Sequence, residues 1–95
     1  MDTLKLFIQS IEANEAPNDM SVQLKALWYD GKGDWHKAHG FVDQLNDSSS
    51  ALIHAYLHRK EGDIWNADYW YSRAKSKRPN VSFETEWATL VERFL

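Results

Sequence analysis

Apolar residues recur at spacings of three and four along most of the chain, and no stretch alternates apolar and polar for the length of a strand. Leu4, Phe7, Ile8 and Ile11 predict a first helix over about 3–13, capped by Asp2 or Thr3. Leu24, Leu27 and Trp28 predict a second over about 20–31, which Gly31 and Gly33 end because glycine relieves the left-handed strain of a helix stop. Asp34 caps a third, about 35–45, whose inward face is Trp35, Ala38, Val42 and Leu45. Asp47 to Ser50 read as a turn before a fourth helix over about 50–61. Gly62 stops that helix, and Asp63 caps a fifth, about 64–76, lined by Ile64, Ala67, Tyr71 and Ala74. Pro79 closes the segment, and Ser82 caps a sixth helix over about 83–94 with Trp87, Leu90, Val91 and Phe94 inward. Short loops make successive helices antiparallel neighbours. The expected fold is all-α: six short helices stacked as hairpins in a single domain over 1–95, with no sheet.

Two stretches repeat one another at an offset of 29 residues. Ala26, Gly33, Asp34 and Ala38 in the first match Ala55, Gly62, Asp63 and Ala67 in the second. The second copy resembles a tetratricopeptide repeat in Ala55, the Gly62-Asp63 turn, the small-aromatic-small series Ala67, Tyr71 and Ala74, and Pro79. The first copy fits in Ala26, Tyr29, Gly33 and Ala38 but has no closing proline. The offset falls short of the family's usual period of about 34, and His54 and His58 stand where the family prefers leucine and tyrosine. The likeness spans about 19–81. It implies a concave face, built by the first helix of each hairpin, that takes a peptide. Gln23, Leu27, Asp30, Leu52, Tyr56, Arg59 and Lys60 would line it, with Arg59 and Lys60 placed for a carboxylate. The run from His54 to Asp63, with Asn66 to Tyr71 and Glu86 to Ala88, also resembles a group of small bacterial proteins of unknown function, a likeness that implies no activity.

Composition narrows the field. A formal charge of −3 and a pI of about 5.7 argue against a general nucleic-acid binder. Lys75, Lys77 and Arg78 cluster at the end of the fifth predicted helix, where cations complement the helix dipole. No apolar run reaches the roughly 20 residues that span a bilayer, and Met1-Asp2 does not open a secretory signal, so a cytoplasmic protein is expected. With no cysteine, disulfides and thiolate metal sites are excluded.

The chemistry-bearing residues are few. His54 and His58 share a helix face, and His36 and His39 lie near the start of the antiparallel neighbour. Three imidazoles at one end of a hairpin suffice for zinc or nickel. Packing accounts for the same positions, and no HExxH motif is present, so this reading assigns neither metal nor cofactor. Ser48, Ser49 and Ser50 read as helix caps, Lys32 between two glycines fails the P-loop spacing, and Glu84 and Glu86 suit a helix first turn.

The five tryptophans are the less ordinary feature. Tyr69, Trp70 and Tyr71 point about 100° apart, so they cannot all enter one seam. Exposed aromatic surface is expected near Trp65 and Tyr69. The expected function is a non-catalytic interaction module binding a peptide or protein, a second copy included, through Gln23, Leu27, Tyr56, Arg59, Lys60, Trp65 and Tyr69. No nucleic acid and no membrane is expected as a partner. The rival is a small-molecule or metal-binding protein, an enzyme among its forms, that uses His36, His39, His54 and His58.

Overall fold

Helix α4, Ser48–Glu61, is the axis of the molecule: Ser50 through Leu57 are buried in unbroken succession. A helix buried all round must be surrounded, and α2 (Val22–Gly31), α3 (Trp35–Val42), α5 (Ile64–Arg73) and α6 (Phe83–Phe94) all pack on it. Helix α1, Thr3–Glu12, lies on α2 and α6 instead. The computed structural model describes residues 3–95, and among these there are six helices and no strand. The helical, sheet-free architecture expected from the apolar periodicity is the one observed. Asp2, one of the two caps expected for α1, lies outside the described residues, and Thr3 is already helical.

The hairpins α2/α3 and α4/α5 close in the same way. Gly33 and Gly62 each sit at φ +89°, where a side chain would be strained. The next amides, of Asp34 and Asp63, donate to Tyr29 O and His58 O at 2.9 Å. Each aspartate then caps the following helix, accepting from Lys37 N and Asn66 N. Ala26, Ala38, Ala55 and Ala67 are all fully buried, so small residues bring paired helices together.

Several local expectations change. Ser48, Ser49 and Ser50 form the first turn of α4 rather than a turn before it, because Asp47 alone supplies the cap to Ser50 N. Helices α3 and α5 stop at Val42 and Arg73, earlier than expected. Gly31 does not end α2 through its backbone freedom. It is the last helical residue, and a Cβ there would stand 2.7 Å from Ile11 Cδ1 and 3.1 Å from Trp87 Cζ2. Its absent side chain is what lets α1 and α6 approach. Ile64 and Ile8, placed inward by spacing, are 37% and 36% exposed.

Helix α6 crosses α2 and α4 instead of only closing one end. Trp87 Nε1 donates to Leu27 O at 3.0 Å. Glu86 is buried, accepting from Arg59 Nη1 at 2.7 Å and from the Tyr71 hydroxyl at 2.6 Å. Arg59 also donates to Val81 O. Glu86 therefore does more than complement a helix dipole: it ties α6 to α4 and α5.

Candidate functional site

The side of α4 that faces α2 and α6 is committed to the fold. Leu27 and Tyr56, expected on an open groove, are 0% and 1% exposed and have no surface to offer a partner. The Tyr56 hydroxyl donates to Asp30 Oδ2 at 2.6 Å, and Lys60 Nζ donates to Asp30 Oδ1 at 2.9 Å. Arg59 is held by Glu86, and Gln23 donates to Ser50 Oγ at 3.0 Å. Two buried carboxylates, Asp30 and Glu86, thus each hold one tyrosine hydroxyl and one cation. Burial, with Asp30 next, drives the Tyr56 phenol pKa upward, and burial with the Glu86 hydrogen bond does so for Tyr71. What remains of the concavity is a cleft of about 510 Å³ among Ile8, Ile11, Phe83 and Trp87, with Asp30 and Lys60 along it.

The opposite side of α4 is different. His54 lies two residues from Tyr56, about 200° around the helix, and looks toward α3 and α5. Among the described residues these two helices do not pack on each other, and rings fill the space between them. Trp35 of α3 stacks on His39 at 4.8 Å between centroids and 11° between planes. Trp70 of α5 stacks on His54 at 4.1 Å and 23°. His58 stacks on His54 at 4.8 Å and meets His39 edge-on at 5.2 Å. Trp35 is itself fixed by donating its indole N–H to Leu57 O at 2.8 Å.

Within this array His39, His54 and His58 come together: each offers a ring nitrogen within 4.8 Å of those of the other two. His39 Nε2 and His54 Nε2 are 3.0 Å apart, so one carries the proton and the other accepts it. His58 Nδ1 is 2.7 Å from Glu61 Oε1. A carboxylate only accepts, so a proton sits on Nδ1, and Nε2 is the nitrogen that His58 can offer to a ligand. Asp43 stands 3.9 Å from His39 Nδ1. His36, grouped with these three by spacing, is exposed and stands outside the trio, its ring edge-on to Trp35.

Burial, followed by the charge of His39, lowers the His54 pKa to about 4. Burial, followed by the charge of His58, lowers that of His39 as well. Both are therefore neutral near pH 7, and the proton shared between their Nε2 atoms has to move to the far nitrogen of its ring before both Nε2 lone pairs can meet one ion. His54 carries a cost, since among the described residues its buried Nδ1 has no hydrogen-bond partner, a situation worth about 1–3 kcal/mol.

Sequence reasoning missed Glu61 and Asp43 behind the imidazoles and Trp35 and Trp70 as walls. The offsets from His58 to Glu61 and from His39 to Asp43, three and four residues, were the available signal. Beyond Trp70 the rings continue outward: Tyr69 meets Trp70 edge-on at 5.3 Å, and Trp65 lies parallel to Tyr69 at 6.5 Å and 13°. Trp65 is 78% exposed and Tyr69 45%.

No protein-family model, curated protein or solved structure matches this chain. No helix among the described residues is long and apolar enough to cross a membrane.

Proposed function

We propose that the chain is a non-catalytic interaction module of tetratricopeptide-like type, which takes a protein or peptide partner, a second copy of itself included, on the outer face of α5. The observation that carries this reading is Trp65, 78% exposed and backed by the parallel ring of Tyr69. A large aromatic left in water costs free energy that burial against a partner recovers, and tryptophan and tyrosine dominate the energetics of interfaces. Arg73 extends the patch: its guanidinium sits 5.9 Å from the Tyr69 ring and donates to the Tyr69 hydroxyl at 3.1 Å. The likeness of the two hairpin turns supports the tetratricopeptide-like assignment. The binding face differs from the one that family implies, because α6 covers the concave side.

Sedimentation over a concentration series, together with selection of binders from a displayed peptide library, tests the reading. Wild type should dimerise, burying on the order of 800 Å² per partner, or retain selected peptides. Replacing both Trp65 and Tyr69 by Ser should weaken the interaction at least about 30-fold, the effect of losing one hot spot, with helical circular dichroism unchanged. A monomer at all concentrations, with selected peptides that bind the double variant as well as wild type, would overturn it.

A further inference from the structure

We propose that His39, His54 and His58 form a site for one divalent ion of a late transition metal, of which zinc is the type. The geometry is that of a ligand set. His54 and His58 stand one turn apart on α4, and His39 reaches them from the facing helix α3. Bonds of about 2.0–2.1 Å in a tetrahedral zinc site place its nitrogens roughly 3.3 Å apart. The His39 and His54 Nε2 atoms are already 3.0 Å apart, and the trio converges within 4.8 Å.

The surroundings of His39 and His58 fit the same role. Imidazoles that bind metal are oriented by a carboxylate or carbonyl on the other ring nitrogen. Glu61 supplies that on His58 at 2.7 Å, and Asp43 places its charge 3.9 Å from His39 Nδ1. The same two carboxylates offset the charge a divalent ion would bring. Trp35 and Trp70 lie flat against His39 and His54 and hold their planes.

Packing alone does not account for His54. It is 4% exposed, it stacks on Trp70, and its Nδ1 has no hydrogen-bond partner among the described residues. An apolar side chain would fill that space without an orphaned nitrogen. A second candidate set, His58 with Glu61 and Asp63, is weaker because both Asp63 oxygens are occupied, one accepting from Asn66 N as the cap of α5 and the other from Asn66 Nδ2.

Three imidazoles without a thiolate suit zinc, nickel or copper and not magnesium or calcium. They leave the fourth tetrahedral position to water. Neither Trp65 nor Tyr69 supplies a ligand, so the site stands or falls apart from the partner-binding reading.

The test uses the metal alone. Chelator-treated protein is titrated with Co²⁺, read by its visible absorption, and with Zn²⁺ in competition and by calorimetry. One ion per chain is expected, with tetrahedral cobalt bands that zinc abolishes. His39→Gln and His58→Gln should each remove stoichiometric binding, and Glu61→Gln should weaken it about 10–100-fold. His36→Gln, at an exposed position beside the trio, should bind as wild type. His54→Gln is more prone to misfold, so the two half-buried histidines carry the variant arm, with helical circular dichroism as the control for folding. A measurement that needs no variant runs alongside: zinc should protect His39 and His58, but not His36, from acylation read by mass spectrometry. Failure of wild type to bind near-stoichiometric cobalt or zinc at micromolar concentration would overturn the proposal. So would equal acylation of the three histidines with and without zinc, or binding that survives in folded His39→Gln and His58→Gln.

Discussion

Arg59 and Glu86 close a 2.7 Å ion pair in which the arginine side chain is only 13% exposed and the glutamate 5%. They come from α4 and α6, and the pair marks where α6 settles against the hairpins. Removing one partner from such a pair strands a buried charge. Glu86→Ala should therefore destabilise the fold by about 3–5 kcal/mol, more than the double replacement Arg59→Met with Glu86→Leu, as measured by urea denaturation. Equal losses in the single and double variants would show that the charge is not stranded.

Ala67 is fully buried where α5 meets α4. Ala67→Leu should overpack this contact and cost about 1–3 kcal/mol, visible as a lowered melting temperature. Wild-type melting of that variant would mean α5 can shift outward freely.

Acid should weaken the protein in a defined window. His54 binds its proton at about 4 in the fold and near 6.5 in the unfolded chain. Between those values the unfolded state holds more protons, so stability falls as pH drops and is fully present above about 6.5. The lowered value of His39 adds a loss of the same sign. The shift of His54 from 6.5 to about 4 corresponds to roughly 3 kcal/mol. Metal-free denaturation curves across the window check it, and His54→Leu should flatten the slope. An unchanged slope in His54→Leu would assign the acid sensitivity to other groups.

The exposed rings give a contrast. Trp65→Ser should alter stability by less than about 0.5 kcal/mol, as surface changes do, because Trp65 is 78% exposed. Trp35→Ser removes the hydrogen bond to Leu57 O and the stack on His39, and should cost at least about 2 kcal/mol. Denaturation of the two variants side by side decides whether the outer rings are structural.

The turns were legible because their chemistry is local. A glycine followed by a capping aspartate says where a helix stops and the next begins, and Gly62 with Asp63 does both. The cap at Asp47 was harder to place, since the serines after it suit a cap as well as a first turn. Three of the four histidines could be grouped from spacing and antiparallel order. Spacing names a shared face but not how deep along the facing helix each ring reaches, so His36 was grouped with them although it stands outside. The path of α6 was not legible. Its own apolar stripe says that it packs, not on what, and the sign that it crosses the hairpins lies in Arg59 and Glu86, polar residues that pair across 27 positions of sequence.

The bond from Trp87 Nε1 to Leu27 O joins residues 60 apart. In an open solenoid each layer meets only the next, so folding can start anywhere and ends can fray independently. Here the last helix reaches back onto the second, and a long loop must close before that contact forms. The expected behaviour is a single all-or-none transition, slower than that of a bundle with only neighbour contacts. Cutting the chain before Phe83 should expose Leu27 and Tyr56 together and loosen both hairpins at once.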